Sequence, residues 1–374
     1  MSKKILEIGF IGGGIDSGIG KTHYNSICLN RNWKLSAGFF SRNKKLNILS
    51  GKKYNIPKNR IYSSIDSFLK NEKKIDAVSL LTPIPNRYNI IKKIIKNKIP
   101  IICEKPLLAS IEESKKIKKI LNKNFLTVTY NYTGYPMIRE LENLIKKKTF
   151  FGKINSIFIE MPSGVFLEKK TKKENIAKWR LKDGKIPMSF LDLGSHVFNL
   201  MYFLTKYYPK NLIAKSSTFG KFKNIKDDVM CFGSLNKNTN FNIWFSKSTL
   251  GYDNGLKIRI FGKKASAEWV QSEPEKLKIY TNDKKNFTID RGSYLSLISK
   301  FKRYNDFKSG HPTGFLEAFK NLYDDILQNI ENYKKKIKLN KTYIFEFEHA
   351  QKILTILDSI QKSFVSKKWI KLKK

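Results

Sequence analysis

Three groups of residues in this chain have types and spacings suited to chemistry. Asp192 and His196 stand four apart where a helix is expected to begin, so both side chains project from one face. A carboxylate there can fix an imidazole's orientation and favour its protonated form. An imidazole that titrates near working pH is a natural acceptor of a hydroxyl proton. Lys105 follows the apolar run Ile101-Ile102-Cys103 and Glu104, at the carboxyl end of a buried strand. Ligands collect at that edge of open α/β sheets, and an ammonium there can stabilise a developing alkoxide. The third group, Gly12-Gly13-Gly14, closes the short apolar run Ile5 to Ile11.

A Gly12-x-Gly14 turn after a buried strand is what a dinucleotide needs: a tight bend, then bare backbone where pyrophosphate approaches helix N–H groups. Ser17 occupies the usual place of the third glycine, and Gly18 and Gly20 follow. The loop is therefore read as longer by about three residues than the usual fingerprint, with Gly20 in the third role and Ser17 and Ile19 among the cofactor contacts. The second strand ends Phe39-Phe40-Ser41-Arg42-Asn43, without the acidic residue that binds a ribose 2′-hydroxyl. Ser41 and Arg42 suit a 2′-phosphate instead, so NADP(H) is favoured over NAD(H). The competing reading makes Arg42 one more solvated cation.

The elements that must position these residues fall into two grammars. Apolar strands at Ile5 to Ile11, Lys34 to Ser41, Asp76 to Leu81, Ile99 to Cys103 and Phe125 to Tyr130 alternate with Lys-rich helical stretches, which predicts a parallel, doubly wound sheet. After Asn131 a helix near Met137 to Lys148 leads into strand-like runs at Ile154 to Ser163, Leu212 to Thr218, Asp228 to Leu235, Phe241 to Lys247, Leu256 to Phe261 and Leu277 to Tyr280. Short turns between them predict an α+β domain with a large, mostly antiparallel open sheet, on which helices at Asp192 to Thr205 and Phe315 to Glu331 pack. The boundaries read as 1–131 and 132–374, with a last helix at Glu346 to Ser363 returning toward the first domain. A length of 374 residues fits two domains.

Composition narrows the function classes. Hydrophobic residues make up 41% of the chain and recur along it, which excludes a disordered chain. The 73 Lys and Arg against 31 Asp and Glu give a net charge of +42, a balance that by itself points to nucleic acid or an anionic membrane surface. The cations are diffuse, however: Lys115, Lys116, Lys118 and Lys119, then 146–148, 169–173 and 334–338. Lysine, isoleucine and asparagine are over-used together, as A/T-rich coding produces, so no specific nucleic-acid partner is inferred. Cys28, Cys103 and Cys231 are odd in number and widely spaced, which suggests neither a disulfide framework nor a metal site and places the chain in a reducing cytoplasm. The N-terminus Met1-Ser2-Lys3-Lys4-Ile5 lacks a signal-type apolar region, and no apolar run approaches the roughly 18 residues that span a bilayer, so no membrane partner is expected.

Ile102-Cys103-Glu104-Lys105-Pro106, Asn131-Tyr132-Thr133-Gly134-Tyr135-Pro136-Met137, Asp192-Leu193-Gly194-Ser195-His196 and Gly310-His311-Pro312 occur in this order. Together they resemble the glucose–fructose oxidoreductase/inositol dehydrogenase family, Gfo/Idh/MocA, over nearly the whole chain. The resemblance implies a Rossmann domain for NAD(H) or NADP(H) and a C-terminal α/β domain whose open sheet carries substrate and oligomer contacts, hence a homodimer or homotetramer. It implies oxidation or reduction of a secondary alcohol on a sugar, sugar derivative or cyclitol. It places Lys105 on substrate and in proton transfer, Glu104 near the nicotinamide ribose, Thr82-Pro83 in the turn beside the nicotinamide, and Asp192 and His196 as the family's aspartate and histidine. Arg87 stands where a histidine is often found, and Asn199 where many relatives carry Asp, which speaks further against a metal.

Other positions have two readings. Trp179 and Arg180 can wall the substrate and donate to its hydroxyls, or be core and surface. Asn131 and Tyr135, just beyond the fifth strand, can bind sugar hydroxyls, whereas Tyr132 reads as packing. His23 reads as structural, and His311 and His349 as distant from the motifs. The principal expectation is a dehydrogenase or reductase for a small polyhydroxylated substrate, with His196 as acid/base, Asp192 as its orienter and Lys105 as alkoxide stabiliser. The alternative is a cofactor-binding regulator of the same fold that does not turn over.

Overall fold

A computed structural model of the chain describes residues 5–170 and 176–372; Met1 to Lys4, and Lys172 and Lys173 of the basic run, lie outside the described residues. The chain divides into two compact units, Met1–Gly134 with Phe315–Gln351, and Tyr135–Gly314 with Lys352–Lys374.

In the first unit the strands β1 (Leu6–Gly12), β2 (Trp33–Phe39), β3 (Ala77–Leu81), β4 (Ile101–Glu104) and β5 (Leu126–Thr129) form, among the described residues, a five-stranded sheet in the order β2-β1-β3-β4-β5. All its pairings are parallel, as unbroken apolar strands buried on both faces require. Helices α1 (Gly18–Asn30), α2 (Lys44–Lys53), α3 (Ile65–Asn71), α4 (Arg87–Lys96) and α5 (Ile111–Leu121) make the crossovers. Side-chain caps start several of them: Ser17 accepts from the Gly20 N–H of α1, and Ser110 from the Glu113 N–H of α5.

One helix departs from the expected placement. The segment at Phe315 to Glu331 belongs to this unit and not to the antiparallel sheet: α8 (Phe315–Lys334) buries Tyr323, Ile326, Leu327 and Ile330 in the same core as Leu6, Phe10, Trp33 and Leu35. Trp33 Nε1 donates to the Tyr323 carbonyl at 3.0 Å, and Asn30 Nδ2 to Asp324 at 2.7 Å. Neighbours in sequence are usually neighbours in space, and that rule misplaces a helix that returns across the whole second unit. The final helix, α9 (Phe347–Ser366), starts within the first unit and continues into the second, while Phe345 just before it accepts from the Val128 N–H of β5 at 2.8 Å.

The second unit opens with α6 (Pro136–Lys146) and β6 (Ile154–Pro162), then α7 (Ser195–Thr205), β7 (Asn211–Ser217), β8 (Asp228–Asn236), β9 (Thr239–Ser246), β10 (Lys257–Gly262), β11 (Ala265–Val270), β12 (Leu277–Thr281) and β13 (Asn286–Ile289), and ends with β14 (Ile370–Lys371). The strands form, among the described residues, a nine-stranded sheet in the order β13-β12-β11-β10-β6-β9-β8-β7-β14. Only β6 and β9 pair in parallel there, so the sheet is mostly antiparallel as expected. Burial alternates along its strands. Ile157, Ile159, Ile243 and Phe245 face the covered side, where Phe198 of α7 meets Phe241 edge-on at 6.2 Å. Met230, Phe232, Phe261 and Tyr280 are exposed on strands of the same sheet.

Candidate active site

At the carboxyl edge of the parallel sheet, the loop after β1 turns with Gly12 at a φ of +85°, a backbone region that favours glycine. Gly20 lets α1 press on this loop: a Cβ there would stand 2.3 Å from the Gly13 carbonyl oxygen. Tyr54 OH donates to that carbonyl at 3.0 Å, and Ser50 Oγ accepts from the Ile15 N–H at 3.1 Å, so the loop is fixed from outside. Ser17 caps the helix, Ile19 is half-buried in its first turn, and nothing lies within 4 Å of where a Gly18 Cβ would be. The helix N-terminus is thus open to an anion. After β2, Asn47 Oδ1 accepts from the N–H groups of Phe40 at 2.7 Å and Ser41 at 3.3 Å, shaping a turn from which Arg42 extends exposed.

Thr82 and Pro83 follow β3, Glu104 ends β4 and Lys105 follows it, and Asn131 lies just after β5, so these five candidates share one edge of the sheet. Thr82 Oγ1 and Asn131 Nδ2 are buried there with no hydrogen-bond partner. Buried polar atoms are rarely left so without a role. An unspent Thr82 hydroxyl beside the glycine turn, an unspent Asn131 amide farther along the same sheet edge and an uncluttered helix start fit the residues to a dinucleotide. Lys105, half-buried, is joined to Pro106 by a cis peptide bond.

Glu104 sits in a relay that sequence reasoning missed. Its carboxylate accepts from Thr129 Oγ1 and lies 3.0 Å from Nε2 of His23, whose Nδ1 is 2.6 Å from Tyr323 OH; Ser79 Oγ is 2.9 Å from the same phenol oxygen. Burial alone would raise the Glu104 carboxyl, but the bond and charge of His23, the Thr129 hydroxyl and the nearby Lys105 outweigh it and hold the group below the ordinary carboxylate range. Burial likewise lifts the Tyr323 phenol far above its usual value, against the opposing bond from Ser79. His23, read from the sequence as structural, thus reaches the Glu104-Lys105-Pro106 motif. His349 also lies close: its ring meets Tyr130, next to Asn131, edge-on at 5.6 Å. Sequence distance misleads for His349 because the start of α9 belongs to this unit.

In the second unit the chain enters α7 through a π-helical turn, Phe190–Gly194, that carries Asp192. Such i→i+5 turns often accompany functional sites. Asp192 Oδ2 accepts from Lys247 Nζ at 2.5 Å and from Arg180 Nη1 at 3.3 Å. Lys247 follows β9, is only 10% exposed at its side chain and lies 5.5 Å over the Phe166 ring. No local signal marks it in a lysine-rich sequence. Arg180 stacks over Trp179 at 4.9 Å, both half-buried in the Lys178–Leu181 turn. His196 and Asn199 are buried in the first turns of α7. Tyr135 precedes α6, and its ring meets Trp269 edge-on at 5.3 Å. His311 is exposed, and its carbonyl accepts from Arg291 Nη2 at 2.8 Å.

Among the described residues no group of three or more His, Cys, Asp or Glu is placed to hold a metal ion, and no helix is long and apolar enough to cross a membrane. A cavity of about 620 Å³ beside β7 and β8 is lined by Ile213, Met230, Phe232 and Phe364 among others, and by none of the candidate site residues.

A glycine turn and converging polar groups at the carboxyl edge of a doubly wound sheet, followed by an open mixed sheet, define a two-domain dinucleotide-type enzyme fold. Residues 6–132 match the family model described as oxidoreductase family, NAD-binding Rossmann fold, and residues 147–372 its C-terminal alpha/beta domain. The chain belongs to this oxidoreductase family, Gfo/Idh/MocA. It is 27% identical over 335 residues to the uncharacterized oxidoreductase YfiI of Bacillus subtilis, covering 86% of this chain and 84% of that one. Among solved structures it resembles an oxidoreductase from Sinorhizobium meliloti, at 26% identity and a TM-score of 0.84, over 98% of this chain and 100% of that one. It shares the fold of an inositol dehydrogenase homolog from Azotobacter vinelandii complexed with NAD+, at 21% identity and a TM-score of 0.91, over 99% and 98% of the two chains. The Azotobacter vinelandii homolog is also solved with NADH and myo-inositol.

Proposed function

We propose that this oxidoreductase interconverts a secondary alcohol and a ketone on a sugar, sugar derivative or cyclitol. The observation that carries the reading is the single sheet edge that gathers the glycine turn, Ser41 and Arg42, Thr82, Glu104, Lys105 and Asn131, with two buried polar atoms there unspent. Gly12, Gly14, Ser17, Ile19 and Gly20 would hold the pyrophosphate, Thr82 and Pro83 would flank the nicotinamide, and Glu104 would meet its ribose. Bound there, the nicotinamide ring supplies or accepts the hydride. Lys105 would steady the alkoxide oxygen with its ammonium, and His196 would take the hydroxyl proton on a ring nitrogen, with Asp192 as its orienter. Asn131, Tyr135, Trp179 and Arg180 would contact substrate hydroxyls. The polyol bound by the Azotobacter vinelandii relative supports this substrate class.

Two finer points belong to the same proposal. The missing acid after β2 and the exposed Arg42 favour NADP(H), although the relative's cofactor is NAD(H). Exposed Met230, Phe232, Phe261 and Tyr280 on the open sheet support an assembly of identical chains, a dimer or tetramer.

The test is a panel of inositols, free aldoses and nucleotide-linked sugars with each oxidised cofactor, read by absorbance of the reduced form, on the wild type and on Lys105→Met. Wild-type turnover that drops by about 10²–10³-fold in the variant, with cofactor binding kept, is expected. Full turnover by Lys105→Met defeats the assignment, and cofactor binding without conversion of any polyol makes the protein a regulator instead.

A further inference from the structure

We propose that Arg87 is a positioning residue for this reaction: its buried guanidinium locks the turn that bears Lys105 to the turn that bears Thr82, and thereby fixes both against the nicotinamide half of the cofactor. The inference rests on the dehydrogenase reading above.

Arg87 opens α4 and is 3% exposed. Its Nη1 donates to the Glu104 carbonyl at 2.6 Å and to the Pro106 carbonyl, and its Nη2 donates to the Thr82 carbonyl. Two of these acceptors stand on either side of Lys105. The third begins the turn after β3, and β3 and β4 are adjacent strands. Beyond the strand ends the sheet ladder no longer supplies donors, so carbonyls there need another partner. A guanidinium meets that need in a way an imidazole cannot. It presents planar donors in several directions from one rigid, permanently charged group.

The arrangement costs something: Arg87 Nε is buried without a hydrogen-bond partner. The fork is spent on the carbonyls of the two turns, and one donor is sacrificed to keep it there. Thr82 Oγ1, buried and unspent, sits on one of the clamped turns. The backbone is thus held from behind by Arg87 while side-chain groups of both turns remain for a ligand. The adenine half of the cofactor would be held by the β1 and β2 loops, which Arg87 does not touch in these contacts.

The test uses the full chain as wild type, Arg87→Ala and Arg87→Lys, titrated by fluorescence with the reduced dinucleotide and by calorimetry with ADP-ribose or its 2′-phosphate, which lack nicotinamide. Arg87→Ala is expected to weaken the dinucleotide by about tenfold or more while the fragment's affinity stays within about twofold. Turnover should fall by about 10²-fold, the cost of a misplacement near 1 Å. Added guanidinium ion should recover part of both losses in Arg87→Ala, and none of the turnover loss in Lys105→Met. Equal weakening of dinucleotide and fragment, or no change in either, overturns the proposal. Should Arg87→Ala fail to fold, Arg87→Lys decides: it keeps the charge without the planar fork, and an unchanged ratio of the two affinities refutes the clamp. A wild type that binds no dinucleotide refutes the dehydrogenase reading instead, so the two failures are distinct.

Discussion

Replacing His23 with leucine is expected to reveal how strongly Glu104 is held. The imidazole is fully buried, with Phe319 at 4.9 Å and Phe10 at 6.4 Å between ring centroids, so leucine roughly fills its space and the main loss is polar. Glu104 keeps Thr129 but loses its 3.0 Å partner inside a dry core. Removing one member of a buried ionic pair costs about 3–5 kcal/mol. In a unit of this size that lowers the melting point by about 6–20 °C. The assay is urea unfolding of wild type, His23→Leu, Glu104→Gln and the double variant. If the two groups act as a pair, the double variant loses less than the sum of the singles by about 1–3 kcal/mol. Acid provides the sign. In the wild type the Glu104 carboxyl is depressed, so its stabilising contribution is full above the unfolded value near pH 4.3 and is lost as pH falls through the lower folded value. In His23→Leu burial is opposed only by the Thr129 hydroxyl and Lys105, so the folded carboxyl rises and the cost of burying its charge is relieved as acid protonates it. The gap between the two proteins should therefore narrow below about pH 4.3. Additive losses, or a gap that widens in acid, refute the reasoning.

Two further outcomes are expected. Arg42→Glu should lower kcat/KM for NADP(H) relative to NAD(H) by about 10–100-fold, the worth of one charged hydrogen bond to phosphate; an unchanged ratio removes Arg42 from cofactor choice. Lys247→Met strips Asp192 of its 2.5 Å cation, leaving Arg180 at 3.3 Å. It should cost about 1–3 kcal/mol, discounted for partial exposure, and lower turnover. Adding Asp192→Asn should restore stability by thermal melt but not turnover, and recovery of both shows the pair to be merely structural.

Much of the architecture was legible because its signals are local. The five parallel strands end within one or two residues of their apolar runs, and the glycine turn follows the first as expected. The short strands Ala265–Val270 and Asn286–Ile289 escaped, since their small and polar residues lack an apolar run of strand length. The site was legible only where motifs carry it. The bond between His23 and Glu104 joins positions 81 apart, a separation that no periodicity encodes. Lys247 is one of 73 basic residues, so composition hides its bond to Asp192. Arg87 drew notice as a departure from the family pattern, but only geometry shows three carbonyls converging on it.

The return of α8 to the first unit bears on how the polypeptide is made. Trp33 is translated 290 positions before the tyrosine whose carbonyl it binds. At ribosomal speeds of about 5–20 residues per second, that interval lasts about 15 to 60 s. Throughout it the flank of the nascent sheet around Phe10, Trp33 and Leu35 lacks the cover that Tyr323, Ile326 and Ile330 later provide. Vectorial synthesis thus leaves the nucleotide-type unit sticky until the codons of α8 are read. A transcript cut short after Gly134 would yield a polypeptide fit for aggregation or holdase capture, not a free-standing binding module.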